Sequence, residues 1–132
     1  MTVVTFLDAG NGMQFNRRRQ SRDRVAVADI LASFEGALRM TAYTAALFAE
    51  SADRVAVLDD PLTGAGAEDV CVLEAPFALS AAVSPLVVYR WDKEYPADQR
   101  LALSADAWAL QSATELTGYS HDKITKEVWV CR

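Results

Sequence analysis

Short apolar runs rich in β-branched residues divide the chain into predicted strands. Residues 3–7 form the first run, and residues 86–91, introduced by Pro85, form the strongest. Runs of this length bounded by turn residues are typical of buried strands. The same pattern predicts strands over residues 37–42, 54–58, 69–73, 108–113 and 127–131, and the last two are placed to pair across the loop between them.

Helical spacing of apolar residues predicts a first helix over residues 21–35. Ser21 is a suitable N-cap, and Asp23 would then lie in the first turn, where the helix dipole favours a carboxylate. Gly36 is placed to end the helix. The apolar stripe consists of Val27, Ala28, Leu31 and Phe34.

A second helix is predicted over residues 43–52, with Thr41 or Thr44 as its cap, and residues 77–83 are predicted to be helical or irregular. Strands and helices alternate in the first half of the chain, and strands dominate the second half. This order predicts an α/β fold, a mixed and mainly parallel sheet with flanking helices and a β-rich C-terminal half. The length of 132 residues fits one domain, 1–132.

Composition limits the class of protein. The N-terminal apolar run lacks a basic region and is broken by Asp8, and no stretch has the length of a membrane span, so we expect a cytoplasmic protein. Cys71 and Cys131 lie in strand-like contexts and are expected to be unbridged. With His121 as the single histidine, we expect no metal site and no cofactor. The chain is expected to be a monomer or a homodimer.

The cationic residues are concentrated in one segment. The net charge is −5, which makes nucleic acid an unlikely partner. Arginine forks bind phosphate or carboxylate bidentately, so this segment predicts a site for a small anionic ligand, with Asp23 orienting one of the forks. The alternative is a solvated loop whose arginines pair with acidic residues. The five arginines are Arg17, Arg18, Arg19, Arg22 and Arg24.

Two further segments contain chemically capable residues. His121, next to Ser120 and Asp122, is a weak candidate for general acid–base catalysis, and Asp23 is a second weak catalytic candidate. Adjacent residues seldom converge as a triad, so a turn or cap role for Ser120 or Asp122 is the stronger interpretation. Residues 91–98 combine aromatic and charged side chains and suit either a stacking surface or a structural loop, and residues 10–12 are typical of a turn.

The first fifty residues resemble dihydrofolate reductase. Residues 7–16 (LDAGNGMQFN) match that family's strand, acidic residue and glycine-containing turn, and residues 30–48 match its helix, glycine, strand and threonine-led helix. The resemblance implies the fold of that family. It does not imply its reaction, because Arg17–Arg18–Arg19–Gln20 replace the family's Leu-Pro-Trp loop and Ala42 stands nearest to its phosphate-clamping arginine. The late Gly-Gly turn is missing, and Asp23 and Asp29 are both out of register with the folate-binding carboxylate.

Three segments are similar to a group of short bacterial proteins sometimes labelled ribonuclease Z: residues 15–24, 95–98 and 120–127. The chemistry of that name requires several histidines to hold zinc, and one histidine cannot supply them.

Three hypotheses follow from the residues. The first is a dihydrofolate-reductase-like domain that binds an anionic or phosphorylated small molecule through its arginines without binding NADPH tightly. The second is an interaction module that docks an acidic protein or RNA. The third is a metal-independent nuclease or phosphoesterase that uses Asp23, the arginines and His121.

Overall fold

The computed structural model describes all 132 residues. A seven-stranded sheet has the order β5-β4-β6-β1-β7-β10-β9, and a three-stranded sheet has the order β3-β2-β8. The strands are β1 (Thr2–Leu7), β2 (Gly12–Phe15), β3 (Arg18–Arg19), β4 (Leu38–Met40), β5 (Val55–Val57), β6 (Val70–Leu73), β7 (Leu86–Trp91), β8 (Gln99–Arg100), β9 (Trp108–Leu116) and β10 (Ile124–Cys131). The helices are α1 (Arg24–Ser33), α2 (Ala42–Ala45) and two 3₁₀ helices, Ala46–Arg54 and Ala81–Val83.

The large sheet is mixed and mainly parallel, as the sequence predicts. The five strands β5, β4, β6, β1 and β7 run parallel to one another, and β10 pairs antiparallel with both β7 and β9. Strand β1 is mainly apolar, as expected of a strand buried on both faces, and its buried Thr5 hydroxyl donates to the Leu73 carbonyl oxygen at 2.7 Å. Val4 and Phe6 pack in the core on the α1 side of the sheet, while Val3 and Leu7 pack in a second core on the opposite side.

Helix α1 is shorter than the predicted segment 21–35. Its N-cap is Asp23, whose carboxylate accepts from the Val25 amide at 2.9 Å, so Ser21 is not the cap. The helix ends at Ser33 because Phe34 takes an extended conformation, with φ −128° and ψ 138°. Arg54 caps this end by reaching three carbonyl groups in and beyond the last turn. The guanidinium of Arg54 donates to the oxygens of Leu31, Phe34 and Gly36.

The second predicted helix, 43–52, is wrong in type over most of its length. Thr41 caps a single α-turn, and the chain then continues as a 3₁₀ helix that is kinked at Phe48 and Ser51. Of residues 77–83, only Ala81–Val83 are helical. The last two predicted strands do pair, and each is three residues longer than expected.

The small sheet was not predicted, and it changes the conformation of the arginine segment. Strands β2 and β3 form a hairpin whose two turn residues, Asn16 and Arg17, have φ of 52° and 61°. Positive φ at both positions is the conformation of tight hairpin turns. Strand β8 then pairs with β2, which fixes the hairpin against the loop that follows β7.

None of the helices combines the length and apolar character needed to cross a bilayer. Cys71 lies in β6 and Cys131 in β10, and they are not joined.

Candidate functional site

Four segments meet at the carboxyl edge of β1 and β7. Asp8 follows β1, and the loop 92–98 follows β7. Helix α1 begins at this edge, and so does β10, because Ile124 at its start pairs with Trp91 at the end of β7. Ligands of α/β proteins commonly bind at this edge of the sheet, and the predicted candidates Asp23 and His121 both lie there.

Asp8 is a structural carboxylate that joins three of these segments. Its Oδ1 accepts from the amides of Gly10 and Gly12 at 2.8 and 2.7 Å, and its Oδ2 accepts from the Tyr95 amide and Gln20 Nε2 at 3.0 Å each. Burial by itself raises the pKa of Asp8, but these hydrogen bonds outweigh burial and lower it. The turn at residues 10–12 is therefore wrapped around an ionised carboxylate.

Asp23 holds the loop before β10 in place. Only 3% of Asp23 is exposed. Besides the Val25 amide, its carboxylate accepts from the amides of Tyr119, Ser120 and His121 at 2.9, 2.8 and 3.1 Å. Burial raises the pKa of Asp23, but these amides and the His121 side chain outweigh burial and hold the pKa well below its usual value.

A glycine makes this close approach possible. A Cβ atom at Gly118 would lie 2.5 Å from the His121 carbonyl oxygen and 2.8 Å from Asp23 Oδ2. No other residue fits there without displacing the carboxylate or the loop. Gly118 is thus a determinant of the site, although a glycine without a side chain gives no chemical signal in the sequence.

His121 bridges Asp23 and Ser21. Its Nδ1 lies 2.9 Å from Asp23 Oδ2, and its Nε2 lies 2.8 Å from Ser21 Oγ. The Tyr95 hydroxyl is 3.4 Å from the same Nε2. Because ionised Asp23 only accepts hydrogen bonds, Nδ1 carries the proton, and in the neutral ring Nε2 is free to accept from Ser21.

The imidazole ring is also held by aromatic stacking. Trp91 stacks on His121 with 4.6 Å between ring centroids and 17° between ring planes. Phe6 in turn stacks on Trp91, with 5.7 Å between centroids and 6° between planes. The orientation of the imidazole ring is therefore set by aromatic residues of β1 and β7. Only 8% of the His121 side chain is exposed.

Arg19 differs from the other four arginines. It forms a bidentate pair with Glu74, at 2.8 and 3.1 Å, and its guanidinium lies 4.2 Å from the ring centroid of Tyr43. The remaining four are exposed and have no carboxylate within 4.0 Å: Arg17, Arg18, Arg22 and Arg24. The expected pairing with acidic residues thus holds for Arg19 alone. The expectation that Asp23 orients an arginine is wrong, since its carboxylate is occupied by amides and His121.

The arginines border two separate concavities. Arg18 and Arg19 line a cavity of about 570 Å³ between the β2–β3 hairpin and the loop at Tyr95 and Pro96. Arg22 and Arg24 line a groove of about 530 Å³ between α1 and the 3₁₀ helix Ala46–Arg54. Arg17 lines neither. The groove is the more apolar of the two, with Val27, Leu31, Leu47 and Phe48 among its lining residues.

The sequence indicates part of this arrangement. Asp23 and His121 are each weak catalytic candidates, and the fold brings their side chains into contact. Ser120 contributes its amide and not its hydroxyl, so it is not part of a triad. Ser21 was interpreted as a helix cap, and its contact with His121, 100 positions away, has no local signal. No three His, Cys, Asp or Glu side chains are grouped so as to hold a metal ion.

Comparison with solved structures supports the fold. The chain is similar to a dihydrofolate reductase from Enterococcus faecalis, solved in complex with NADP(H) and RAB-propyl, with a TM-score of 0.63. The alignment covers 100% of this chain and 96% of the other at 7% sequence identity. At this identity the likeness shows a dihydrofolate-reductase-like fold and carries no assignment of activity. No family model matches the sequence, and no curated protein matches it.

Proposed function

We propose that the protein binds a small ligand with an apolar body and an anionic group in the groove between α1 and the 3₁₀ helix Ala46–Arg54. The observation that carries this proposal is the pair Arg22 and Arg24 at an otherwise largely apolar groove, both without a carboxylate partner. Small-molecule sites are mostly apolar concavities with a few placed polar groups. A phosphate or carboxylate would supply the charge that these guanidinium groups lack.

Of the five arginines that the sequence indicates as an anion site, two line the groove. Arg24 is held against Tyr119, with the guanidinium 4.1 Å from the ring centroid, so its position is restricted. Glu50 lines the same groove and repels an anion near it, which favours a ligand whose charged end lies toward α1. The apolar body then contacts Val27 and Leu31.

Phenyl phosphate is a suitable first probe, with inorganic phosphate as the comparison. We expect phenyl phosphate to raise the thermal unfolding temperature more than phosphate does, because binding to the native state adds to stability. The double variant Arg22→Gln/Arg24→Gln should abolish that shift, and the matched variant Arg17→Gln/Arg18→Gln should keep it. Equal shifts in both double variants, or none in the native protein, would show that this groove does not bind such anions.

NADPH and dihydrofolate belong in the same screen as negative controls. The sequence lacks the family's cofactor motifs at Ala42 and in the late Gly-Gly turn, so we expect neither tight NADPH binding nor dihydrofolate reduction. An absorbance assay for NADPH oxidation tests this directly.

A second candidate function is docking of an acidic protein or RNA by the hairpin. Arg17 and Arg18 are exposed and unpaired beside two exposed aromatic residues, Phe15 at 47% and Tyr43 at 43%. Basic groups interleaved with aromatic rings suit an acidic or stacking partner. Salt-sensitive binding of RNA or an acidic peptide that is lost in Arg17→Gln/Arg18→Gln, and kept in Arg22→Gln/Arg24→Gln, would favour this function.

The third hypothesis, a metal-independent nuclease or phosphoesterase, is favoured by the contact between Asp23 and His121. The resemblance to proteins labelled ribonuclease Z does not support it, since no family model and no curated protein matches the chain and a single histidine is present. Hydrolysis of a phosphodiester that resists chelators and is lost in His121→Ala would support it.

A further inference from the structure

We infer that Ser21, His121 and Asp23 form a nucleophilic triad that hydrolyses carboxylic esters. The three side chains lie in one continuous line of hydrogen bonds: Ser21 Oγ to His121 Nε2 at 2.8 Å, and His121 Nδ1 to Asp23 Oδ2 at 2.9 Å. Such triads are recognised by geometry and role rather than by position in the sequence. This inference does not depend on anion binding in the groove.

Each member has the environment that its role requires. Asp23 is buried, and the amides of four residues keep its carboxylate ionised and immobile: Val25, Tyr119, Ser120 and His121. The ionised carboxylate fixes the proton on Nδ1 and stabilises an imidazolium when the ring gains a second proton. Trp91 fixes the plane of the ring, so that Nε2 points at the Ser21 hydroxyl without a conformational search.

Ser21 is partly exposed, and it lines neither concavity itself. Its preceding neighbour Gln20 lines the hairpin cavity, and its following neighbour Arg22 lines the groove beside α1. In the proposed reaction the ester approaches the exposed side of Ser21, with its two halves directed toward these spaces. The Tyr95 hydroxyl, at the same Nε2, is a donor that can reach the developing oxyanion or the leaving oxygen.

The reaction balances with water as the only co-reactant. Ser21 Oγ forms a bond to the carbonyl carbon as its proton moves to His121 Nε2. The tetrahedral intermediate then breaks its bond to the alcohol oxygen, which takes the proton from Nε2, and leaves an acyl group on Ser21. Water attacks the acyl carbon as its proton moves to Nε2. The second tetrahedral intermediate breaks the bond between that carbon and Ser21 Oγ, which takes the proton from Nε2, and the carboxylic acid is released.

A fluorophosphonate probe tests the nucleophile without knowledge of the natural substrate. The activated hydroxyl displaces fluoride from phosphorus and gives a stable adduct that peptide mass spectrometry locates. We expect the adduct on Ser21 and none on Ser112, an exposed serine of β9 whose hydroxyl makes no hydrogen bond. Ser21→Ala should abolish labelling, and the matched variant Ser112→Ala should leave it unchanged.

Hydrolysis of p-nitrophenyl butyrate gives the second readout. Ser21→Ala and His121→Gln should each lower kcat/KM by on the order of 10²–10⁴, the usual contribution of general acid–base catalysis. Asp23 is a positioning residue, so Asp23→Asn should lower kcat while leaving KM unchanged. Thermal unfolding of each variant separates loss of activity from loss of fold.

The outcomes distinguish this inference from the proposed function. Labelling at Ser21 that survives Arg22→Gln/Arg24→Gln supports the triad even where anion binding fails. The inference is overturned if folded native protein gives no adduct at Ser21, or if Ser21→Ala hydrolyses the ester as fast as the native protein. In either case Ser21 and His121 only join two loops.

Discussion

Two charged regions lie side by side at the carboxyl edge of the sheet and differ in how their charges are compensated. In the region around Asp23 and His121, both oxygens of the Asp23 carboxylate accept at least two hydrogen bonds, and the His121 ring is stacked on Trp91. In the arginine region, four of the five guanidinium groups have no carboxylate within reach, and only Arg19 is paired, with Glu74.

The difference separates a preorganised site from a surface available to a partner. Buried polar groups must be paired, because an unpaired one costs about 1–3 kcal/mol. Exposed arginines stay hydrated and tolerate the lack of a partner. The Asp23 region is therefore expected to contribute strongly to stability, whereas the unpaired arginines are expected to contribute to binding and little to stability.

The largest expected effect is that of Asp23→Ala. The substitution leaves four amides and His121 Nδ1 without an acceptor, so we expect it to lower the free energy of unfolding by about 3–5 kcal/mol. Urea denaturation measures the change. Asp53→Ala, at an exposed aspartate without hydrogen bonds, is the control, and a loss below about 1 kcal/mol in Asp23→Ala would contradict the role assigned to this network.

Acid should destabilise the protein through the same carboxylates. The folded-state pKa values of Asp8 and Asp23 lie below their unfolded values, so their stabilisation is complete above the unfolded pKa near 4 and is lost as the pH falls through the folded values. Urea midpoints measured downward from pH 7 should stay level to about pH 5 and then fall. The fall should be shallower in Asp23→Asn. A midpoint that rises on acidification would show that these carboxylates are not stabilising.

Gly118→Ala tests the close approach of the loop to Asp23. The added methyl group overlaps the His121 carbonyl oxygen, and overpacking of this kind costs about 1–3 kcal/mol. The control is Gly66→Ala, where the nearest atom, Asp69 Oδ2, is 3.6 Å from the added Cβ. Thermal unfolding should show a clear loss for the first variant and little change for the second. Equal behaviour would mean that the loop can shift at no cost.

The smallest effects separate the paired arginine from the unpaired ones. Arg19→Gln leaves the buried carboxylate of Glu74 without its partner and should cost about 1 kcal/mol, since the pair is partly exposed. Arg17→Gln and Arg18→Gln should change stability by less than about 0.5 kcal/mol. Urea denaturation at low and high salt compares the three. A large loss in Arg17→Gln would mean that the hairpin tip has a structural role.

The pattern of the sequence predicted the central strands β1, β6 and β7 best, because they are the most fully buried strands of the large sheet. Strand β7 has the predicted bounds, and β1 and β6 differ from theirs by one residue. The second helix was mistaken because Phe48 and Ser51 leave helical geometry, and local spacing does not report such a kink. The small sheet was missed because β3 and β8 have two residues each, too few for a periodic signal.

By itself the sequence determined the mixed α/β fold and the concentration of arginines after β1, and it indicated Asp23 and His121 as weak catalytic candidates. Only the tertiary structure decided that Ser21 contacts His121, that the arginines divide between two concavities, and that Gly118 admits the loop to Asp23. The periodicity of apolar residues, and the burial that it indicates, can be read from neighbouring positions in the sequence. Contacts between residues about a hundred positions apart depend on the register of β7 with β10, which the packing of the whole sheet sets.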